Sequence, residues 1–143
     1  MKTINEVQDE IIAEFKSVGD PFSQYELLID YSIGLEKLEE ERCADDLLVE
    51  GCQSNVWLSM SREDGAFRLD ASSDTLIICG ILALLKMVFD NQLCEDVACA
   101  DVYFLEEADL MMTFSSERRK GIGSAIEIMQ KYAAGEIDWP QKK

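Results

Sequence analysis

Two short runs of alternating apolar and polar residues, joined by a turn, constrain the fold of this chain more than any other feature. The first run has apolar residues at Val56, Leu58 and Met60. The second runs from Phe67 to Ala71 with the same alternation. A period of two is typical of strands that bury one face, and the Arg-Glu-Asp-Gly sequence at 62–65 favours a hairpin turn between them. The centre of the chain is therefore predicted to be a small antiparallel sheet, and residues 47–50 are predicted to add a short strand.

A first helix is predicted before the sheet. Thr3 and Glu6 form a capping box, in which each side chain bonds the other residue's backbone N–H, and apolar residues follow at helical spacing. The helix is expected to run to about Ser17. Gly19 and Pro21 are residues that stop a helix, so they mark the boundary with the next one.

A second helix is predicted from another capping box, at Ser23 and Glu26. Phe22 and Leu27 are spaced as a hydrophobic staple, a pair of apolar side chains that pack together around a helix start. The helix is expected to end near Gly34. A charged connector then leads to the sheet.

More helices are predicted after the sheet. Asp74 is placed to cap an apolar helix from Thr75 to about Phe89, and residues 94–109 suggest short helices with turns. A final helix is expected to begin at Ser115 or Ser116, and residues 139–143 are expected to form a loose tail. Helices packed on a small antiparallel sheet define an α+β fold, and 143 residues suit a single domain spanning 1–143.

The chain is strongly acidic. Its 13 Lys and Arg residues against 29 Asp and Glu residues give a formal net charge of −16. Such a charge repels phosphate backbones, so nucleic-acid binding is not expected, and partners with basic patches are favoured. The longest apolar run, Leu76 to Leu85, is too short to cross a bilayer, and the first residues lack a signal-peptide pattern. We therefore expect a cytoplasmic protein that does not bind membranes.

Cysteine is the residue type in this chain most suited to a reactive role. The sequence has no histidine and no glycine-rich phosphate loop, which removes histidine-dependent catalysis and histidine-bound metals. Cys79 lies in an apolar helical run and is expected in the core. Cys94 and Cys99 are not spaced as a metal-binding pair. We predict no metal and no cofactor held by this chain.

Cys52 lies in a short polar turn, residues 51–54, between two apolar runs. Free cysteines are usually buried and inert, so a cysteine in such a turn is unusual. Nearby Glu50, Asp45 and Asp46 disfavour the reactive thiolate. A half-buried turn cysteine and a reactive thiol that depends on a partner for activation are equally compatible with these residues.

The sequence Gly51-Cys52-Gln53-Ser54-x-Val56-Trp57 resembles the signature of the SufE family of sulfur-acceptor, or cysteine desulfuration, proteins. Further agreement lies at Ser73-Asp74 with the following Gly80–Leu85 run, and at Arg118-x-x-Gly121-Ile122. The resemblance covers roughly Phe15 to Ala133. The chain departs from the family at Cys79, where a lysine is usual, and at Ser116, where a proline is usual.

The resemblance implies a sulfur carrier with the α+β sandwich shared by IscU-type scaffolds. A pyridoxal-phosphate cysteine desulfurase of the SufS type would pass persulfide sulfur to Cys52 and be stimulated by the transfer. Cys52 would then deliver the sulfur to an iron–sulfur scaffold of the SufBCD type. The chain would act as a transfer partner rather than a stand-alone enzyme. The supporting or partner-binding residues that the resemblance implies are Gly51, Gln53, Ser54, Trp57, Asp74, Arg118 and Arg119, and the sequence does not show which arginine lies near Cys52.

Two other functions stay open. An IscU-like iron–sulfur or zinc scaffold would require three or more ligands from the set Cys43, Cys52, Cys94 and Cys99. An acidic adaptor that only regulates a basic partner would explain the charge and leave the Cys52 motif without a role. Cys43 is also open as a relay for sulfur or as a disulfide partner of Cys52.

Overall fold

A two-stranded antiparallel sheet with helices packed on it makes up the described part of the chain. The computed structural model describes residues 2–35, 47–49, 55–112 and 114–139. Before the sheet lie α1 (Ile4–Val18) and α2 (Pro21–Gly34), and the strands are β1 (Val56–Glu63) and β2 (Ala66–Ser73). After it come α3 (Leu76–Phe89), α4 (Cys94–Cys99), α5 (Phe104–Glu107) and α6 (Ser116–Ala133). The predicted α+β class is confirmed.

The hairpin follows the sequence pattern closely. The two strands pair in antiparallel register, with Leu58 opposite Ala71. Asp64 and Gly65 form the turn with φ values of 52° and 81°. Positive φ at both central residues is the geometry that an Asp-Gly pair favours, because its twist matches the twist of the strands. The strands bury alternate residues, so one face of the sheet lies on the core.

The outer edge of β1 is covered by the chain that precedes it. Leu48 forms an isolated antiparallel bridge with Trp57, and the Val49 N–H donates to the Val56 carbonyl at 2.8 Å. The strand predicted over residues 47–50 is wrong in extent, since it is reduced to this bridge and Glu50 lies outside the described residues. Trp57 is half-buried here.

Trp139 covers the same strand further along. Its indole N–H donates to the Leu58 carbonyl at 2.7 Å, and its ring packs against the core. The prediction of a loose tail is therefore wrong for Trp139, while residues 140–143 lie outside the described residues. On the other edge of the sheet the Phe67 N–H donates to the Gln92 carbonyl at 2.7 Å. Because these contacts pair backbone N–H and C=O groups at the sheet edges, fewer such groups are left to pair with another chain.

The start of α2 differs from the prediction. Asp20 is the N-cap and accepts a hydrogen bond from the Ser23 N–H at 2.9 Å, which lowers the pKa of the Asp20 carboxyl. Ser23 therefore lies inside the first turn, and Phe22 is 72% exposed rather than packed in a staple. Asp20 prevails because aspartate is a strong N-cap and Pro21 after it has the backbone angle of a first helical residue.

Gln8 is a fully buried polar side chain that ties α1 to α5. Its Oε1 accepts from the backbone N–H groups of Tyr103 and Phe104, at 3.0 and 3.3 Å. Its Nε2 donates to the Asp101 carbonyl at 3.0 Å and to Asn5 Oδ1 at 3.3 Å. A buried amide is tolerated when its donors and acceptors are paired in this way.

Tyr31 joins α2 to α1. Its hydroxyl donates to the Glu14 carboxylate, and its ring stacks with Phe15 at a centroid distance of 6.1 Å. Burial, and then the bond to Glu14, raises the pKa of Tyr31 from 10.0 to about 12. Because the folded pKa is the higher one, the resulting stability is full below pH 10 and is lost as pH rises towards about 12.

Tyr31→Phe is expected to remove this pH dependence. The difference in free energy of unfolding between the native chain and the variant should be constant below pH 10 and shrink between pH 10 and about 12. Urea unfolding of both proteins across that range measures the difference. A difference that stays constant to the top of the range would contradict the assignment.

Candidate functional site

The centre of the predicted site lies outside the described residues. This applies to Cys52, to its neighbours Gly51, Gln53 and Ser54, and to Cys43. The structure does describe both flanks of residues 50–54. Val49 is bonded to Val56 on one side, and Asn55 begins the chain on the other. These flanks and the elements around them form the described part of the site.

Asn55 and Asp74 clamp the start of β1 to the end of β2. The Asn55 backbone N–H donates to Asp74 Oδ1 at 3.1 Å, and its side-chain Nδ2 donates to Oδ2 at 2.9 Å. The Asp74 N–H donates back to the Asn55 carbonyl at 3.3 Å. Asp74 is thus bonded to Asn55, the first described residue after the predicted site in the sequence, but its predicted role as helix cap is wrong. Its carboxylate is engaged by Asn55, and the N-cap of α3 is Thr75.

Cys79 lies close to this clamp and belongs to the core. Its side chain is 3% exposed, and its thiol donates to the Ser73 carbonyl at 3.3 Å. The prediction of a core cysteine is confirmed. The thiol therefore packs the amino end of α3 against β2, at the position where the resemblance leads one to expect a lysine.

The guanidinium of Arg119 is committed to the backbone. Its Nε donates to the Phe114 carbonyl and its Nη2 to the Met112 carbonyl, both at 3.2 Å. These bonds hold the segment that leads into α6, where Ser115 caps the helix by accepting from the Arg118 N–H at 3.2 Å. Arg119 thus has a structural role in the described chain, which the sequence did not reveal.

Arg118 has a different environment. Its guanidinium lies over the Phe114 ring, 5.9 Å from the centroid. Its Nε is buried and has no hydrogen-bond partner among the described residues. The side chain lines a cleft of about 540 Å³, together with Tyr25 and Ile77. The two neighbouring arginines therefore differ in their hydrogen bonds. Arg119 donates to two backbone carbonyls, whereas the Nε donor of Arg118 has no acceptor among the described residues.

The cleft lies where three helices begin. It is lined by Pro21 at the start of α2, Ile77 at the start of α3 and Arg118 in the first turn of α6. Ile77 is three residues beyond Asp74. The cleft and the Asn55–Asp74 clamp therefore share one end of α3.

The described residues do not provide a set of metal ligands, as the metal-scaffold alternative would require. No three cysteine or acidic side chains among them approach closely enough to hold a metal ion. Cys94 and Cys99 are free thiols on α4, whereas Cys43 and Cys52 lie outside the described ranges. Among the helices that the structure describes, none has the length and apolar character needed to cross a membrane.

The fold is shared with a solved structure. The solution structure of a hypothetical protein from Thermus thermophilus superposes with a TM-score of 0.75, covering 91% of this chain and 95% of that one. The two sequences are 17% identical, so the likeness establishes the fold alone. It agrees with the predicted packing of helices on a small antiparallel sheet.

Sequence comparison then identifies the family. Residues 9–133 match the model of the SufE Fe–S metabolism associated domain, so the chain belongs to the SufE family. An uncharacterized SufE-like protein of Synechocystis sp. is 28% identical, over 86% of this chain and 77% of its own length. One from Rhizobium etli is 26% identical, over 87% and 88%. SufE-like protein 1, chloroplastic/mitochondrial, of Arabidopsis thaliana is 29% identical over 87% of this chain and 34% of that protein.

Proposed function

We propose that this chain is a sulfur carrier that uses Cys52. The observation that carries the proposal is the family match over residues 9–133, which spans the Gly51–Trp57 motif. A pyridoxal-phosphate cysteine desulfurase of the SufS type donates the sulfur, and an iron–sulfur scaffold of the SufBCD type receives it. The chain holds no cofactor and works as a transfer partner. Its single-domain organisation and cytoplasmic location stay predictions.

The transfer is a thiol–disulfide exchange. The Cys52 thiolate attacks the outer sulfur of the desulfurase persulfide, a new S–S bond forms on Cys52, and the S–S bond on the enzyme breaks. The desulfurase cysteine leaves as a thiolate and takes up the proton that Cys52 gave up. No external oxidant or reductant is required, because one persulfide replaces another. A scaffold thiolate repeats the same exchange with Cys52.

The Asn55–Asp74 clamp supports this assignment because it holds Asn55, three residues after Cys52 in the sequence, at the start of β1. The acidic residues near Cys52 in the sequence disfavour a thiolate in the free protein. The partner is therefore expected to activate the Cys52 thiol. The residues proposed to contact that partner are Gly51, Gln53, Ser54 and Trp57. Arg119 is proposed to support the backbone at the cleft, and Arg118 to contact the partner.

Intact-mass measurement tests the proposal. After incubation with a SufS-type desulfurase and free cysteine, the chain is expected to gain one sulfur mass, which a thiol reductant removes. No gain while the desulfurase turns over would overturn the proposal. Stoichiometric iron or zinc in protein purified without oxygen would instead favour the scaffold alternative.

A further inference from the structure

Side chains from the end of the chain close much of the outer edge of β1. In an antiparallel pair every second residue of a strand directs its backbone groups away from the partner strand. The Leu58 carbonyl points outward in this way and accepts from the Trp139 indole N–H at 2.7 Å. The Met60 carbonyl, next along the same edge, accepts from the Tyr132 hydroxyl at 3.4 Å. A side chain leaves such a carbonyl by rotating, so no strand has to be unpaired to open this part of the edge.

Residues 135–139, which we call the C-terminal strap, start from a firmly held root. Arg62 of β1 donates through Nε to the Tyr132 carbonyl at 3.1 Å, and its guanidinium lies 4.4 Å from the centroid of the Tyr132 ring. Gly135 follows with φ of 79°, and the Glu136 N–H donates to the Lys131 carbonyl at 2.9 Å. This is the Schellman turn that commonly ends a helix. The turn therefore sets the direction in which the strap leaves α6.

Trp139 anchors the far end of the strap. Its ring packs against the core while its indole bonds Leu58. Between the turn and Trp139 the side chains of Glu136 and Asp138 are exposed, and Ile137 is half-buried. A short exposed segment with one aromatic anchor opens at a much smaller free-energy cost than the whole domain. The strap is therefore a cover that can detach while the rest of the fold persists.

The part of β1 that the strap covers is suited to pairing with a second copy of the same strand. Leu48 and Val49 pair with the start of β1, so release of the strap uncovers residues 58–62. That stretch carries one charged residue, Arg62, in a chain of net charge −16. Antiparallel pairing of two copies about Met60 places Leu58 opposite Arg62 and Ser59 opposite Ser61. Like charges do not face each other in this register, so the charge repulsion that weakens a strand pair is avoided.

We propose that the C-terminal strap is an autoinhibitory cover that keeps β1 from pairing with β1 of a second copy. One hydrogen bond and a partly buried ring favour the closed strap by about tenfold. Both copies must open before their strands pair, so loss of the strap strengthens self-association by about a hundredfold. The acidic chains repel each other, and salt screens that repulsion, so the pairing is stronger at high ionic strength.

Trp139→Ala tests the strap. The variant is expected to form dimers with an association constant about a hundredfold above that of the native chain, and more strongly at high salt than at low salt. Analytical ultracentrifugation over a wide concentration range measures the constant for both proteins. Phe22→Ala is the control, because Phe22 is an exposed aromatic residue at the start of α2, and its loss should leave self-association unchanged. A folded Trp139→Ala variant that associates no more than the native chain overturns the inference.

A second substitution locates the contact. Ser61→Lys, added to Trp139→Ala, puts an ammonium group on the uncovered edge and should abolish the dimer, because lysine on an edge strand opposes pairing. The same change lowers the negative net charge, so association through any other surface would persist or increase, and that result overturns the inference. Circular dichroism and the unfolding midpoint report whether each variant is folded. If Trp139→Ala is unfolded, Trp139→Phe replaces it, since phenylalanine keeps a packed ring and lacks the N–H. It should dimerise more than the native chain, and a folded Trp139→Phe that stays monomeric overturns the inference.

Discussion

Cys52→Ser is expected to gain no sulfur and to leave desulfurase turnover at the rate of the enzyme alone. A serine hydroxyl does not replace a thiolate as the nucleophile that attacks sulfur, so the persulfide stays on the desulfurase. Turnover of the enzyme is then limited by slower acceptors of the persulfide sulfur. Intact mass measures the sulfur on the chain, and sulfide or alanine production measures turnover.

Cys99→Ser is the matched control for this experiment. Cys99 is an exposed free thiol on α4, so its loss removes a thiol without touching the Cys52 motif. It should gain sulfur and stimulate turnover as the native chain does. Sulfur gain by Cys52→Ser at comparable yield would remove Cys52 from the mechanism. Full stimulation by Cys52→Ser without sulfur gain would favour the acidic adaptor.

Gly80→Ala is expected to destabilise the chain by about 3 kcal/mol, the upper part of the range for overpacked cores. A Cβ on Gly80 would lie 2.3 Å from the Leu28 carbonyl oxygen and 2.9 Å from Leu28 Cγ. The oxygen belongs to the backbone of α2, so it moves only if the two helices separate. The higher helix propensity of alanine recovers about 1 kcal/mol at most.

Gly123→Ala provides the comparison for Gly80. Gly123 lies in α6, and a Cβ there would meet no described atom within 4 Å apart from its chain neighbours and the backbone of its own helix. Alanine should therefore stabilise the chain by up to about 1 kcal/mol through helix propensity alone. Urea unfolding gives both free energies. A Gly80→Ala variant as stable as the native chain would mean that α2 and α3 are less closely packed than the structure shows.

Local signals in the sequence predicted much of the fold. The capping box at Thr3 and Glu6 forms as expected, with the backbone N–H of each residue bonded to the side chain of the other. The Asp64-Gly65 turn forms because both residues accept positive φ. In these cases the residues that determine the geometry are neighbours in sequence, so no knowledge of the tertiary structure was needed.

Features that depend on competing or distant partners were not predictable. Ser23 fits a capping box, yet Asp20 with Pro21 begins the helix earlier. Asp74 has the sequence position of an N-cap, but its carboxylate accepts a hydrogen bond from Asn55, which is 19 residues away. Arg118 and Arg119 are adjacent and alike in sequence, and only the folded chain shows that one is bound to carbonyls while the other faces a cleft.

Gln8 has a consequence for the order in which the chain becomes stable. It accepts the N–H groups of Tyr103 and Phe104, which are 95 and 96 residues further along the chain. A helix of only four residues such as α5 does not persist by itself in water. Protection of those two amides from hydrogen exchange therefore depends on α1 being docked, and the first and fifth helices should open together as one cooperative unit.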